Sequence, residues 1–230
     1  MPDISITGPD GSFSAYLAVP QSGVGAGVLM IQEIFGVNQD MRDHCDARAA
    51  EGYFALCPDL FWRQKPGIQL TDQSEGEWAQ AVELYQALDY PKAVEDLKTT
   101  LSYLRGLDGC TGKVGAMGFC LGGYLTFLMA TQSDTDCNAG YYGVGIETRL
   151  NESSQITSPT LLHIAEEDKF VPPPTQVQIK DGLAGNDMVT IHSYPGMDHA
   201  FARHGGTHYD ADAARLANER TAALFAANLR

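Results

Sequence analysis

Short, continuous apolar runs recur along the chain, and each is too uniformly apolar for a strand with one face in water. Such runs are typical of strands buried on both faces of a parallel sheet. Five of them are predicted as strands: residues 25–31, 53–57, 113–117, 160–164 and 188–192. A weaker run over residues 139–144 predicts a sixth strand. Ser5-Ile6 and residues 12–17, on either side of Pro9-Asp10-Gly11, predict an antiparallel amino-terminal hairpin.

Longer segments between these runs predict helices, at residues 40–51, 75–88, 91–106, 121–131, 173–183 and 210–230. Gly52 and Gly106 lie where helices commonly end, and Pro91 suits a first helical position. Strand–helix alternation of this kind predicts an α/β fold with a mostly parallel open sheet and helices on both faces. The chain has no internal repeat and no linker long enough to divide it, so we expect a single domain over residues 1–230.

The net charge of the chain limits the classes of molecule that it is expected to bind. Its 230 residues include 15 basic and 29 acidic side chains, a formal net charge of −14. Such a surface repels phosphate backbones and anionic lipids, so we expect a small-molecule partner rather than nucleic acid or a membrane. The first residues lack the pattern of a signal peptide, and no apolar run has the length of a membrane span. Five cysteines without a C-x-x-C pair argue against disulfides and favour the cytoplasm.

A candidate nucleophile follows the strand predicted at residues 113–117. Gly118-Phe119-Cys120-Leu121-Gly122 reads G-x-C-x-G, the strand–nucleophile–helix elbow with cysteine in place of serine. Its glycines allow a sharp turn and a close approach of strand and helix, and the helix dipole and the Leu121 N–H stabilise negative charge near Cys120. Taken alone, the motif also fits a buried structural cysteine between packing glycines.

Two further strand ends carry partners for a nucleophile. Asp168 follows the strand at residues 160–164, and His199 lies on a loop beyond the strand at residues 188–192. The chain order nucleophile, acid, histidine is that of α/β hydrolases. Asp168 could instead cap the next helix, with Glu166 or Glu167 as the acid, and His199 could be a hydrogen-bonded loop residue.

The other histidines suggest no metal site. His163 and His192 fall inside predicted strands as packed residues, while His204 and His208 lie on a polar stretch after His199. There is no H-E-x-x-H motif, so we expect no metal. The nucleotide-binding pattern G-x-G-x-x-G is also missing, and the predicted chemistry requires no cofactor.

Five segments together closely resemble the dienelactone hydrolase (carboxymethylenebutenolidase) family of the α/β-hydrolase superfamily. They are Gln32-Glu33-Ile34-Phe35-Gly36, Cys57-Pro58-Asp59-Leu60, Gly118-Phe119-Cys120-Leu121-Gly122-Gly123, Tyr141-Tyr142-Gly143-Val144-Gly145 and His199-Ala200-Phe201. The resemblance runs from about residue 10 to the last helix. It implies a monomer without cofactor that opens a lactone or ester through a Cys-His-Asp triad and an acyl-enzyme. It also implies an oxyanion hole formed by the N–H groups of Ile34 and Leu121.

The resemblance assigns a role to Glu33 as well. In the family this carboxylate lies beside the nucleophile and takes part in switching thiol to thiolate when substrate binds. A negative charge beside a thiol disfavours the thiolate, which protects the resting cysteine from oxidation. The alternative is a loop carboxylate that caps a turn.

The substrate is less defined than the chemistry. Relatives that act on the catabolic dienelactone hold its carboxylate with two arginines. Arg203, four residues after His199, matches the first, but the second aligns with Trp78, and residues 75–89 contain no basic side chain. Trp78 and Tyr85 fit either a lid over a pocket or simple packing.

A second class of function uses the same cysteine. A ligand-binding or redox-sensing protein on a hydrolase scaffold would employ Cys120 as its thiol but would need neither Asp168 nor an oxyanion hole. The complete nucleophile–acid–histidine order therefore favours the hydrolase.

Overall fold

A computed structural model describes residues 3–230 of the chain. The chain divides into two units, Met1–Gly115 and Ala116–Arg230. The single domain predicted over residues 1–230 therefore stays a prediction, and its first two residues lie outside the described range. No helix within residues 3–230 is long and apolar enough to span a membrane.

The first unit begins with the predicted hairpin. Its strands are β1 (Asp3–Gly8), β2 (Gly11–Ala18), β3 (Gly25–Ile31) and β4 (Phe54–Pro58). They are ordered β1-β2-β4-β3 in the sheet: β1, β2 and β4 pair antiparallel, and β3 pairs parallel with β4. Every residue of β3 from Ala26 to Ile31 is buried, which explains its continuous apolar sequence.

Three helices of the first unit start at polar caps. They are α1 (Gln39–Ala50), α2 (Glu75–Gln86) and α3 (Tyr90–Arg105). The side chains of Asn38, Ser74 and Asp89 each accept a hydrogen bond from a backbone N–H in the first turn. These bonds satisfy donors that the helix itself leaves open, so the polar caps set where each helix begins.

Strand β5 (Cys110–Phe119) starts in the first unit, next to β3, and ends in the second. The second unit continues the sheet in the order β5-β6-β7-β8, with β6 (Cys137–Tyr141), β7 (Thr160–Ala165) and β8 (Val189–Tyr194). Strand β7 pairs parallel with both β6 and β8. The fold class is therefore confirmed: a mostly parallel eight-stranded sheet with helices around it and an antiparallel amino-terminal hairpin.

The helices of the second unit are α4 (Leu121–Gln132), α5 (Pro173–Leu183) and α6 (Ala211–Asn228). Residues Leu121 to Thr131 of α4 are all buried, as expected for a helix inside an α/β core. A 3₁₀ segment, Ile146–Gln155, was not predicted. It consists of two short pieces that meet at non-helical backbone at Arg149, and pieces this short are too brief to be recognised from periodicity.

A buried polar network lies at the centre of the second unit. His163 Nδ1 is 2.7 Å from the Tyr194 hydroxyl, and His163 Nε2 is 3.0 Å from Thr221 Oγ1. Thr221 Oγ1 in turn lies 2.7 Å from the Tyr141 hydroxyl. Burial, with smaller contributions from His192 and Arg220, lowers the pKa of His163 well below its usual value. The packed position predicted for His163 is confirmed, and its side chain joins β6, β7, β8 and α6. His192, also predicted to be packed, is only half-buried on β8.

Candidate active site

Cys120 occupies a strained turn between β5 and α4. Its φ of 54° and ψ of −114° are values that residues with a side chain rarely adopt. Its N–H donates to the Tyr141 carbonyl at 3.0 Å, and its own carbonyl accepts from the Tyr124 N–H at 3.1 Å. The thiol is thereby fixed at the amino-terminal end of α4, where the helix dipole favours negative charge.

The glycines of the elbow serve close packing. A Cβ on Gly118 would lie 2.2 Å from the Gly122 carbonyl oxygen, and one on Gly123 would lie 2.4 Å from the Tyr141 carbonyl oxygen. We expected these glycines also to form the turn, but the left-handed residue is Cys120 itself. The strand–helix contact thus requires glycine, and the nucleophile position carries the strain.

Asp168 and His199 are joined directly. Asp168 Oδ2 lies 2.7 Å from His199 Nδ1, and Asp168 Oδ1 accepts from the Phe170 N–H at 2.8 Å. Both side chains are buried, so water competes little for these bonds. The contact leaves His199 Nε2 available to a third group.

The alternatives to Asp168 find less support. Pro172, not Asp168, is the cap residue of α5, so the helix-cap interpretation is wrong. Glu167 is exposed and Glu166 half-buried. Their backbone N–H groups donate to the carbonyls of Tyr194 and Met197, and the Glu166 carbonyl accepts from the Gln176 amide at 3.1 Å.

His199 also hydrogen-bonds the side chain of Cys120. Burial lowers the pKa of His199, but the charge of Cys120, the hydrogen bonds to Asp168 and Cys120 and the charge of Asp168 together raise it to about 10. The raised pKa favours the protonated imidazole through the neutral range. The structure brings Cys120, His199 and Asp168 into one connected row.

Two aromatic rings contact the imidazole of His199. The ring centroid of Tyr142 lies 5.1 Å away at an interplanar angle of 62°, and that of Phe170 lies 4.9 Å away at 76°. Tyr142 is buried, whereas Phe170 is 51% exposed. Sequence reasoning missed both contacts. Tyr142 directly follows β6, whereas Phe170 lies on the loop between Asp168 and α5, so no common spacing marks the two residues.

The loop after His199 contains Arg203, which is only 8% exposed. Its N–H donates to the Ala200 carbonyl at 3.0 Å, and its carbonyl accepts from the Gly206 N–H at 3.0 Å. His204 and His208 are exposed, as predicted. Within residues 3–230, no group of three or more His, Cys, Asp or Glu side chains is arranged to hold a metal ion.

The remaining predicted site residues belong to the first unit. Glu33 and Ile34 lie just beyond Gln32, the residue after β3, and both are buried. Gln32 fixes this segment, because its amide donates to the Glu33 carbonyl at 3.2 Å and accepts from the Leu60 N–H at 3.1 Å. The Gln32 side chain therefore ties the segment after β3 to the segment after β4.

Trp78 and Tyr85 lie on α2. The Trp78 ring is 5.8 Å from the Phe35 ring, and the Tyr85 ring is 6.5 Å from the Tyr90 ring. Trp78 remains 37% exposed. Both residues thus take part in packing inside their own unit, and the exposed part of Trp78 leaves surface for a further contact.

A model of the dienelactone hydrolase family matches residues 13–229. The chain belongs to this family. It is 50% identical to a putative carboxymethylenebutenolidase of Azospirillum brasilense over the full length of both chains. It is 41% identical to the carboxymethylenebutenolidase of Pseudomonas putida, over 94% of this chain and 92% of the relative.

Solved structures agree with the family. The crystal structure of a putative dienelactone hydrolase from Klebsiella pneumoniae subsp. pneumoniae MGH 78578 superposes with a TM-score of 0.87 and 27% identity. The match covers 98% of this chain and 97% of that chain. As a member of the family, the protein is a hydrolase that acts on esters or lactones.

Proposed function

We propose that the protein is a cysteine hydrolase that opens a lactone or ester through an acyl-enzyme, with Cys120, His199 and Asp168 as its triad. The observation that carries the proposal is the connected row of these three side chains, which ends in a thiol at a strained helix-start turn. Nucleophile, base and orienting acid within hydrogen-bond reach of one another are the arrangement that nucleophilic catalysis requires.

The first half of the reaction forms the acyl-enzyme. With its proton held by His199, Cys120 Sγ attacks the substrate carbonyl carbon, and the carbonyl electron pair moves to oxygen. The Leu121 N–H at the start of α4 receives this oxyanion, with the Ile34 N–H as the second proposed donor. The C–O bond to the leaving oxygen then breaks, and His199 gives that oxygen its proton. In a lactone the new hydroxyl stays attached to the acyl chain.

The second half releases the product. His199 takes a proton from water as the water oxygen attacks the thioester carbon, the C–S bond breaks, and Cys120 leaves as thiolate beside the imidazolium. A carboxylic acid remains, which loses its proton to solvent at neutral pH. Asp168 keeps the imidazole in one tautomer through both halves, since its carboxylate accepts the hydrogen bond from the Nδ1–H. Protein groups alone supply every step, so the proposal includes no cofactor.

Substrate recognition is the least constrained part of the proposal. Arg203 is the proposed anchor for a substrate carboxylate, and Trp78 and Tyr85 are proposed substrate contacts. Glu33 is proposed to control the resting thiol, because a buried carboxylate beside it would disfavour the thiolate. We also propose that the enzyme works as a monomer in the cytoplasm, where unpaired cysteines persist as thiols.

Turnover of p-nitrophenyl acetate tests the proposal. The wild type should release p-nitrophenol and carry a transient acetyl group on Cys120, detectable by mass spectrometry of the quenched protein. Cys120→Ala should lose both, while Cys110→Ala, which removes a partly exposed thiol, should keep both. Turnover by Cys120→Ala, or acetyl transfer to a different residue, would reject the cysteine mechanism.

A further inference from the structure

Strained backbone is concentrated around the proposed triad. Among residues 3–230, three non-glycine residues have positive φ: Cys120 at 54°, Tyr142 at 37° and Ala200 at 65°. Cys120 is the proposed nucleophile, and Ala200 follows His199. Such conformations persist only where the surroundings hold them, and they are common at functional sites. Tyr142 is the one of the three for which the reaction gives no reason.

The backbone around Tyr142 connects two of the segments that carry the triad. The carbonyl of Tyr141 accepts the Cys120 N–H at 3.0 Å. The Tyr142 N–H donates to the His163 carbonyl at 2.8 Å, on the strand that leads to Asp168. The chain at the end of β6 is therefore attached to the nucleophile elbow on one side and to β7 on the other.

Close packing of the next residue explains why the chain must turn at Tyr142. A Cβ on Gly143 would lie 2.8 Å from both the carbonyl carbon of Gly123 and the backbone nitrogen of Tyr124. The loop is thus pressed against the first turn of α4. An extended conformation at Tyr142 would carry Gly143 along the β6 direction instead, so the positive φ follows from this contact.

The turn directs the Tyr142 ring at the catalytic histidine. The ring is buried and lies 5.1 Å from the His199 ring, 5.5 Å from the Phe201 ring and 6.1 Å from the Phe119 ring. Phe119 precedes the nucleophile, and Phe201 lies two residues after His199. One side chain therefore touches the histidine and both aromatic residues that flank the triad.

We propose that Tyr142 is a positioning residue that holds the imidazole of His199 in line with the Cys120 sulfur. This inference rests on the proposed function. Asp168 holds Nδ1 and Cys120 bonds the same imidazole, but hydrogen bonds in the ring plane leave that plane free to tilt about the line between the two partners. The packed Tyr142 ring restricts the tilt, so that Nε2 keeps one direction while the proton moves to and from it. Because the ring acts through His199, its loss should lower kcat more than it changes KM.

The test compares two replacements at the same strained backbone. Tyr142→Leu removes the ring and keeps an apolar side chain, whereas Tyr142→Phe keeps the ring. With p-nitrophenyl acetate we expect Tyr142→Leu to lower kcat by about tenfold or more with KM little changed. Tyr142→Phe should keep most of the wild-type kcat. Phe225→Leu on α6, which also removes a buried ring, is the control and should keep kcat.

A resting-state measurement separates positioning from general packing. In ¹⁵N NMR of histidine-labelled protein, the wild type should show one set of His199 ring signals and one tautomer. Tyr142→Leu should broaden or double those signals, while Phe225→Leu should not. Unchanged kcat in Tyr142→Leu, a Phe variant as impaired as the Leu variant, or two sets of His199 signals in the wild type would overturn the proposal.

The wild-type spectrum can overturn the positioning role of Tyr142 even when Tyr142→Leu does not fold, because it requires no variant. It also distinguishes the two proposals, since the His199 signals report on the resting protein whichever residue attacks the substrate. Turnover by Cys120→Ala would reject the cysteine mechanism. The His199 spectrum would still test whether Tyr142 holds the imidazole in one orientation.

Discussion

His199 Nδ1 lies 2.7 Å from Asp168 Oδ2, which joins the loop after β7 to the loop after β8. The other carboxylate oxygen is held by the Phe170 N–H, so Asp168 cannot rotate away without losing both bonds. A carboxylate accepts hydrogen bonds only, and Nδ1 must therefore carry the proton. This leaves Nε2 as the nitrogen that the proposed mechanism uses to exchange a proton with Cys120.

Asp168→Asn should lower the pKa of His199 and the rate together. The negative charge of Asp168 is one of the causes that raise this pKa to about 10, so its removal lowers the pKa. The protonated imidazole would then be lost at a lower pH, and the alkaline limb of the kcat/KM profile should move down in pH. We also expect kcat/KM to fall by about 10²- to 10⁴-fold. The asparagine amide can donate a hydrogen bond to an unprotonated Nδ1 and so stabilise the wrong tautomer of His199.

Steady-state rates with p-nitrophenyl acetate from pH 6 to about 10.5 measure both effects, a span chosen to bracket the reference histidine pKa and its raised value. Glu167→Gln is the control, because it removes an exposed carboxylate one residue away. An alkaline limb that stays in place in Asp168→Asn would show that Asp168 does not set the protonation of His199.

Cys120→Ser should leave the fold intact and remove most of the activity. A thiol has a reference pKa of about 8.5, whereas a serine hydroxyl is far harder to ionise. The hydroxyl would therefore rarely give its proton to His199, and no strong nucleophile would form. We expect kcat/KM to fall by at least about 10²-fold, with an unchanged circular dichroism spectrum. Cys110→Ser should match the wild type, and wild-type turnover by Cys120→Ser would contradict the thiolate mechanism.

Gly123→Ala should destabilise the protein through the elbow packing. The new Cβ would lie 2.4 Å from the Tyr141 carbonyl oxygen and 3.0 Å from Gly143 Cα, and both are backbone atoms that cannot move alone. We expect a loss of about 1–3 kcal/mol in the free energy of unfolding, measured in urea. Gly76→Ala on α2 is the matched control: its Cβ meets nothing within 4 Å, and alanine favours the helix, so stability should stay equal or rise slightly. Equal stabilities for the two variants would contradict the packing argument.

The helices and strands that could be predicted are those whose apolar pattern follows directly from their burial or whose ends are marked by particular residues. Strand β3 is continuous in apolar residues because it is buried on both faces, and its predicted limits match the structure. Helix α5 also matches, since prolines mark its start. Strand β6 was expected to run to Val144 but ends at Tyr141, because the positive φ of Tyr142 cannot continue a strand. That φ results from packing around Gly143, which the local sequence does not encode.

The candidate site divides in the same way. Strand ends locate Cys120, Asp168 and His199, because parallel strands present their carboxyl ends at one edge. Ring contacts such as that of Tyr142 with His199 depend on the packing of residues far apart in the chain. No periodicity or spacing reports such a contact, so it becomes visible only in three dimensions.

Glu33→Gln should accelerate alkylation of Cys120 by iodoacetamide in the free enzyme. Glu33 is 2% exposed, so a charge there is poorly screened by water. If this carboxylate lies beside the thiol, as the family implies, its removal lowers the cost of forming the thiolate that iodoacetamide attacks. Mass spectrometry of Cys120 peptides against time measures the rate, and Glu51→Gln, which alters a more exposed carboxylate, is the control. Equal or slower alkylation in Glu33→Gln would dismiss the protective role.

The charge of the substrate is tested at Arg203 and Trp78, the two positions where the family resemblance implies arginines. With a net charge of −14, the long-range field of the protein opposes an anionic ligand, so recognition must come from a short-range contact. Arg203 is the basic residue that follows His199, and it is 8% exposed. A guanidinium that holds a carboxylate in a desolvated site contributes roughly 1.5–3 kcal/mol, or about 10- to 150-fold in affinity. Arg203→Met should therefore lower kcat/KM by that order for a carboxylate-bearing lactone and little for a neutral lactone of the same ring.

Trp78→Arg is the complementary change. It places a cation where the family resemblance implies a second arginine, on a helix whose own sequence contains no basic residue. The ratio of kcat/KM for the anionic and neutral lactones should rise in Trp78→Arg and fall in Arg203→Met. Tyr103→Arg, an equally exposed aromatic on α3, controls for the added charge and should leave the ratio near the wild-type value. If neither Trp78→Arg nor Arg203→Met moves the ratio, Arg203 has a structural role, and the natural ester of this enzyme is uncharged.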